Sequence, residues 1–204
     1  MERVGVNCGA GLHLLAAGRE GVEGSRPEGE GVAGEPRPVS HKVGFAAVPA
    51  AIILAVVALL ARPDHEKRVL TTYWDALGQV DTVCAGVTGE GVVRGRTYTE
   101  AECIELESRY VRRMFARMGR CVPNARMEFH EIKAWGHFAY NVGEAAFCRS
   151  TAARLLNEGQ NAAACKQIGK WVYIKGKNCR VRANKCYGIV VRRDWEETVC
   201  EGRA

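Results

Sequence analysis

The spacing of apolar residues predicts that the second part of the chain is mainly helical. The clearest helix begins after Thr99, which forms a capping-box signature with Glu102. Its apolar residues recur at near-helical intervals: Ile104, Leu106, Tyr110, Val111, Met114 and Phe115. Further helices are predicted over residues 129–142, from Ser150 to a stop at Gly159, over 161–168 and over 189–200.

A different pattern precedes these helices. The stretch TTYWDALGQVDTVCAGVTG, which starts at Thr71, mixes β-branched and aromatic residues with glycines, and this is typical of a small hairpin. A short helix is expected before it, from Asp64 or His65 through Val69 and Leu70. The predicted fold class is therefore α+β and mostly helical, with one small β-hairpin or sheet near the start of the domain and a helical lobe.

Residues 43–61 form an apolar segment of nineteen residues without a charge, flanked by Lys42 and Arg62. At ~1.5 Å per residue, a helix of this length just reaches the ~30 Å of a bilayer core. A cleaved signal peptide, a permanent anchor and an uncleaved export segment all fit, and a buried helix of a soluble domain is the fourth alternative. The favoured interpretation is the uncleaved segment, because seven alanines make it weakly apolar and Leu59 spoils a signal-peptidase site.

Residues 1–42 are rich in Gly, Glu, Pro and Arg, a composition that predicts disorder. Val39 is a candidate alternative start, which would remove the residues before it and leave a short basic lead, His41 and Lys42, ahead of the apolar segment. The expected organisation is a disordered lead (1–42), a membrane or export segment (43–61) and a folded domain (62–204).

Charge and cysteine are concentrated in that last domain. Basic and acidic residues cancel up to Arg62, so the whole net charge of +6 lies after it. Of nine cysteines only Cys8 precedes the domain, and eight lie in it: Cys84, Cys103, Cys121, Cys148, Cys165, Cys179, Cys186 and Cys200. An even set without CxxC pairs favours disulfides in an oxidising compartment over a metal site. Only the close pair Cys179 and Cys186 is predicted individually.

Three residues of the early domain are candidates for catalysis. Glu66, at the end of the first predicted helix, and Asp75, in the hairpin, would supply the two carboxyl groups that glycoside hydrolysis requires. An apolar setting would keep Glu66 protonated as the general acid, whereas Asp75 on a polar hairpin would stay ionised. Thr82 would hold the attacking water. The alternative is that these three are ordinary surface charges and turn residues whose spacing arises by chance.

Several motifs in a fixed order favour the catalytic explanation over chance spacing. Glu66 is followed by TYWD and TVCAGVTG, then by GRTYTEAEC, FAYNVGEAAFCRST, a segment with Trp171, and GIVVRRDWE. Over roughly residues 65–200 the chain resembles the phage-type lysozymes of glycoside hydrolase family 24, in particular endolysins with an amino-terminal signal-arrest-release (SAR) segment. The catalytic triad of that family falls on Glu66, Asp75 and Thr82.

The resemblance implies an activity and a substrate. The expected enzyme is a muramidase that hydrolyses the β-1,4 bond between N-acetylmuramic acid and N-acetylglucosamine, with inversion, and lyses the bacterial host. Neither a cofactor nor a metal is expected, nor a nucleic-acid partner, and the chain is expected to be a monomer. A lytic transglycosylase and a non-catalytic wall-binding module are the alternatives.

The sequence departs from the family pattern at three positions. Lys67 stands where the family usually has Gly, and Val87 stands where the motif GHTG carries His. The interval from Asp75 to Thr82 is one residue longer than usual, which leaves Asp81 beside the expected threonine.

Other residues are candidates for substrate contact. Tyr140 is expected mainly to pack but is also a candidate for substrate binding. Asn141 is a second such candidate, which would contact substrate or brace the hairpin. Arg192 and Arg193 are either solvated or partners of acids in the cleft, and Arg192 is the candidate for substrate binding. His137 is expected to be an interior histidine with a satisfied partner.

The distance between the apolar segment and the candidate acid predicts regulation. Five positions separate Ala61 from Glu66, less than ~20 Å even when extended. While the segment stays in the inner membrane, the enzyme would be tethered on the periplasmic side and inactive. Depolarisation or a holin-type partner would release it into the periplasm.

Overall fold

A three-stranded antiparallel sheet carries Asp75 and Thr82. The computed structural model describes residues 42–62, 68–76 and 78–203. The sheet consists of β1 (Val69–Asp75), β2 (Val80–Cys84) and β3 (Val87–Thr88) in that order. A small apolar core lies against it, formed by Val83, Cys84, Val87, Tyr98, Cys103 and Leu106. The hairpin predicted from residue 71 onward is confirmed.

The helix predicted before the sheet is wrong at Val69 and Leu70, which belong to β1. Val69 pairs with Cys84, and the Leu70 carbonyl accepts a hydrogen bond from the Tyr98 backbone at 2.8 Å. Cross-strand partners on both sides of β1 outweigh the helical start signal, as the β-branched and aromatic composition favours. The expected helix start at Asp64 or His65 lies outside the described residues.

The longest helix, α2 (Glu100–Cys121), begins where the sequence indicates. The Thr99 hydroxyl accepts a hydrogen bond from the Glu102 backbone at 3.2 Å, and the Glu102 carboxylate accepts one from the Thr99 backbone at 2.8 Å. This reciprocal pair is the predicted capping box. One face of α2 then enters the core through residues that include Val111, Met114, Phe115 and Met118.

Helix α3 (Phe129–Val142) lies at the centre of the helical lobe. Trp135 and Phe138 are fully buried and contact each other edge to face, with ring centroids 5.6 Å apart. The main core gathers around them. The helix confirms the prediction made for residues 129–142.

Four shorter helices complete the lobe: α4 (Glu144–Cys148), α5 (Thr151–Asn157), α6 (Asn161–Cys165) and α7 (Gly188–Cys200). The Ser150 hydroxyl caps α5 by accepting a hydrogen bond from the Ala153 backbone at 3.1 Å. α6 is shorter than predicted, since Ile168 lies in a separate 3₁₀ turn, Ile168–Lys170. A second sheet, β4 (Tyr173–Ile174) with β5 (Lys177–Asn178), was not predicted.

The apolar segment contributes helix α1 (Ala50–Leu60), which is eleven residues long. Its side chains at Ile53, Val56 and Leu60 are buried in the main core. The helix packs against α2 and α3 and belongs to the same compact unit as the rest of the described chain. The close contact with α3 requires Gly136, where an added Cβ would stand 2.9 Å from Val56 and 2.6 Å from Phe115.

No helix among the described residues is long and apolar enough to cross a membrane. The predicted disordered lead lies outside the described residues except for Lys42, and so does Cys8.

The eight cysteines of the domain form four disulfides: Cys84–Cys103, Cys121–Cys148, Cys165–Cys200 and Cys179–Cys186. The individually predicted pair, Cys179–Cys186, is confirmed. Cys84–Cys103 joins the sheet to α2, and Cys165–Cys200 joins α6 to the end of α7. The disulfides therefore crosslink neighbouring elements in both the sheet region and the helical lobe.

Candidate active site

The strand register determines which candidates share a face of the hairpin. Tyr73 pairs with Thr82, Trp74 with Asp81, and Asp75 with Val80. Residues directly opposite each other in an antiparallel pair share a face, and successive residues alternate. Asp75 and Thr82 therefore lie on one face, and Asp81 lies on the other.

Asp75 is half-buried at the point where β1 enters the turn. Its carboxylate lies close over the turn backbone, because a Cβ added at Gly78 would stand 2.9 Å from Asp75 Oδ2. No larger residue than glycine fits at position 78 without displacing that carboxylate. Glycine at position 78 therefore leaves free the space that the Asp75 carboxylate occupies.

Thr82 is almost wholly buried, with 3% of its surface exposed. Its hydroxyl donates to the Val80 carbonyl at 3.3 Å, which leaves the oxygen lone pairs as acceptors. The extra residue between Asp75 and Thr82 does not move Thr82 to the other face. Just before β2, Gln79 has a positive φ of 51°.

Asp81 is occupied on the opposite face of the hairpin. Arg94 Nε donates to Asp81 Oδ2 at 3.0 Å, and the same guanidinium lies 5.4 Å from the centre of the Trp74 ring. These three side chains line a shallow cavity of about 570 Å³ together with Thr72 and Gly95. Asp81 is therefore directed away from the face that carries Thr82.

Glu66 and Lys67 lie outside the described residues, but the chain is firmly held immediately after them. Arg68 forms a bidentate pair with Glu107 of α2, with N to O distances of 3.0 and 2.6 Å, and also contacts Glu100 at 2.5 Å. Hydrogen bonding to the Glu107 carboxylate raises the pKa of Arg68. Arg68 thus fixes the backbone two residues beyond the candidate acid.

Glu107 also connects this anchor to the turn between β2 and β3. Its Oε1 accepts a hydrogen bond from the Ala85 backbone at 3.0 Å, and the Ala85 carbonyl accepts one from the Tyr140 hydroxyl at 2.8 Å. Tyr140 further packs edge to face on Tyr110, with centroids 5.2 Å apart. Tyr140 therefore braces the sheet against α3, which agrees with its expected packing role.

Asn141 is joined to a buried ionic cluster. Its side-chain oxygen accepts a hydrogen bond from the Arg193 guanidinium. Arg193 Nη1 lies 2.8 Å from Glu196 Oε2, an ion pair whose angle does not suit a hydrogen bond. Glu196 Oε1 lies 2.6 Å from His137 Nδ1. Desolvation lowers the pKa of Arg193, and the cluster confirms His137 as an interior histidine with a partner.

The two arginines of α7 therefore differ. Arg193 is fully buried and paired with the buried Glu196, which rules out the solvated alternative for that residue. Arg192 is half-buried and lines an apolar groove with Ile174 and Trp195. Neither Asp75 nor Thr82 is among the residues that line this groove.

Two of the departures from the family pattern can be located. Val87, in place of the usual His, is 1% exposed and fills the small core below the sheet. Asp81 lies on the face opposite Thr82, as described above. In the described part of the chain, no cluster of three or more His, Cys, Asp or Glu side chains could hold a metal ion.

The sequence did not identify Glu107 and Arg68 as a pair. A signal for Glu107 exists, because it lies one helical turn from both Cys103 and Val111, on the face of α2 that turns inward. A carboxylate at such a position requires a buried partner. The sequence does not indicate which of 29 basic residues supplies it.

Comparisons with known proteins agree with this fold. Residues 63–196 match the phage lysozyme family. The SAR-endolysin of Bacteriophage PS119 is 35% identical over 130 residues, 63% of this chain and 71% of the relative. The SAR-endolysin of Escherichia phage 933W is 27% identical over 172 residues, 79% of this chain and 96% of the relative.

Solved structures share the fold. A mutant P22 lysozyme superposes with a TM-score of 0.58 at 22% identity and covers 76% of this chain and 97% of its own. The muramidase domain of SpmX from Asticaccaulis excentricus also gives a TM-score of 0.58, at 16% identity, with 72% and 93% covered.

The chain belongs to the phage lysozyme family. It is an endolysin of the SAR group, a glycoside hydrolase that cleaves bacterial peptidoglycan. The matches do not favour the lytic transglycosylase or the non-catalytic wall-binding module.

Proposed function

We propose that Glu66, Asp75 and Thr82 hydrolyse the β-1,4 bond between N-acetylmuramic acid and N-acetylglucosamine. The observation that carries this assignment is the register of the hairpin, in which Asp75 and Thr82 share a face. The anchor at Arg68 supports Glu66, because it holds the backbone two residues away on the buried carboxylate of Glu107. The register restricts the positions of Asp75 and Thr82, and the anchor restricts the backbone at Arg68.

Each residue has one role in the proposed reaction. Protonated Glu66 donates its proton to the glycosidic oxygen as the bond to the anomeric carbon breaks. Water held at Thr82 Oγ1 attacks that carbon from the opposite face, and Asp75 accepts the proton that this water loses. The transition state resembles an oxocarbenium ion, and the configuration at the anomeric carbon is inverted.

Matched variants of the two hairpin carboxylates test the assignment. We expect Asp75→Asn and Glu66→Gln to lower the rate of peptidoglycan hydrolysis ~10²- to 10⁴-fold, since each removes an acid–base group. Asp81→Asn should stay near the wild-type rate because Asp81 lies on the other face, bound to Arg94. The measurement is the clearing of purified cell walls, with melting temperatures to confirm folding.

The reverse order, with Asp81→Asn inactive and Asp75→Asn active, would contradict the assignment. Equal losses in both variants at unchanged melting temperature would contradict it as well.

We further propose that residues 43–61 tether the new enzyme to the inner membrane on its periplasmic side and that release activates it. Relatives with the SAR-endolysin name support this localisation. Helix α1 supplies Ile53, Val56 and Leu60 to the core, and these side chains cannot face lipid and fill the core together. The membrane-bound form therefore lacks part of its core. Depolarisation or a holin-type partner would trigger release.

The exposed alanines of α1 allow a test that leaves the core unchanged. Ala51 and Ala58 are exposed in the folded enzyme, so leucine at both positions is tolerated there. In the membrane, leucine makes the segment more apolar and harder to extract. We expect Ala51→Leu/Ala58→Leu to remain in the membrane fraction and delay lysis of expressing cells, while the purified soluble enzyme keeps its wild-type rate.

The matched control is Ala51→Ser/Ala58→Ser, which should leave the membrane at least as fast as the wild type. Lysis on the wild-type schedule by an enzyme that stays in the membrane fraction would show that the tethered form is active.

A further inference from the structure

One segment of the C-terminal part of the domain holds an unusual concentration of positive charge. From Gly159 to Arg193 there are nine Lys and Arg residues and no Asp or Glu. The net charge of the whole chain is +6, so the remainder is net negative. Residues 170–192 are here called the cationic hairpin. Six of the nine cations are exposed in this range: Lys170, Lys175, Lys177, Arg180, Arg182 and Lys185.

The cationic hairpin is held in one conformation. The disulfide Cys179–Cys186 closes its loop. Arg180 donates to the Gly169 carbonyl at 2.7 Å, and the Asn184 side chain donates to the Asn178 carbonyl at 2.8 Å. An exposed surface fixed in this way loses little conformational freedom when it binds.

Large apolar side chains are exposed among these charges. The exposed fractions are 62% for Tyr173, 41% for Ile174, 50% for Val181 and 56% for Val191. Ile174 and Val191 line an apolar groove of about 600 Å³, and Lys185 lies at the same groove. A surface of cations alone would bind any polyanion. Burial of the apolar side chains beside them is favourable only if the partner also has an apolar layer.

We propose that the cationic hairpin is a docking surface for the anionic face of a phospholipid bilayer. Lys and Arg side chains contact the lipid phosphates, while Tyr173, Ile174, Val181 and Val191 enter the boundary between headgroups and acyl chains. None of the residues that form this surface is Asp75, Thr82 or a residue of α1. The surface would keep the released enzyme beside the membrane, and it does not depend on the proposed catalytic residues.

Vesicle binding by the full chain tests the surface. The wild type should cosediment with vesicles of equal parts phosphatidylglycerol and phosphatidylcholine, and far less with phosphatidylcholine alone. Each cation near an anionic bilayer strengthens binding about fivefold, so Lys175→Gln/Lys177→Gln/Lys185→Gln should weaken it ~100-fold. The matched control, Arg112→Gln/Arg120→Gln/Arg149→Gln, removes the same charge at exposed sites outside the hairpin and should change binding little.

A second variant tests the apolar component independently of charge. Tyr173→Ser/Val191→Ser should lose the binding that the wild type retains in about 1 M salt, where the screening length is ~3 Å. Melting temperature and cell-wall clearing confirm that each variant is folded.

Three results would overturn the proposal. The two triple variants could lose binding equally, which would indicate net charge alone. The wild type could bind both vesicle types equally. It could also bind purified cell walls through Lys175, Lys177 and Lys185 without binding vesicles, which would make the surface a site for a wall polymer.

Discussion

The carboxylates of Asp75 and Asp81 belong to the same hairpin but lie on its opposite faces. Asp81 is bound to Arg94, whereas Asp75 lies over the turn on the face that Thr82 shares. Proximity along the chain made Asp81 a competitor for the role of Thr82. The alternation of side chains along a strand separates them. At the scale of single residues, the direction of a side chain decides its chemistry.

Gly78 provides a test of how closely the turn fixes Asp75. Gly78→Ala places a methyl group 2.9 Å from Asp75 Oδ2, so the carboxylate must move. Because misplacement by about 1 Å can cost ~10²-fold in rate, we expect kcat to fall ~10- to 100-fold with little change in melting temperature. The assay is cell-wall clearing at saturating substrate.

The matched control is Gly188→Ala, where an added Cβ meets no atom within 4 Å. Wild-type kcat in both variants would show that the turn does not position Asp75.

The sequence identified the residues that carry the proposed chemistry but not those that hold them in place. Asp75 and Thr82 were found through motif resemblance. Glu107 on an inward face of α2 signalled a buried partner, but the choice of Arg68 depends on how β1 packs against α2. Tertiary packing of this kind leaves no periodic signal in a sequence.

The N-terminus of α2 is an element whose stability should depend on pH. The hydrogen bond from the Thr99 backbone to the carboxylate lowers the pKa of Glu102. A group with a lowered pKa in the folded state stabilises at neutral pH and loses that contribution as the pH falls. We expect the stability difference between wild type and Glu102→Ala, measured by urea unfolding, to shrink below about pH 4.3.

The matched control is Glu105→Ala, which removes an exposed carboxylate of the same helix outside the cap. The difference in stability between wild type and Glu102→Ala could instead stay constant down to about pH 3. That result would argue against the ionised capping box.

Elements with strong local signals were predicted better than short ones. The sequence predicts the capping box of α2, its inward face and the Ser150 cap of α5. These signals come from residues within one or two helical turns of each other. The start of β1, at Val69 and Leu70, was predicted as helix because its strand partners are distant in sequence, as Val69 and Cys84 are. β4 and β5 are two residues each, too short for a pattern.

The whole molecule combines a hydrolase domain with an apolar segment whose helix fills part of the core. The apolar segment satisfied both a membrane and a core interpretation at the sequence level, because nineteen uncharged residues suit either environment. In the folded enzyme its helix lies against α2 and α3. The excess of positive charge, which the sequence assigned to the domain as a whole, is concentrated near the cationic hairpin.

In the proposed reaction, the paired carboxyl groups hydrolyse the glycan with inversion. Proton NMR of cell walls during the first moments of digestion measures this directly. We predict that new reducing ends of N-acetylmuramic acid appear first as the α-anomer, because water attacks the face opposite the departing β-linked sugar. Reducing ends that appear first as the β-anomer, or 1,6-anhydro ends in place of reducing ends, would contradict it.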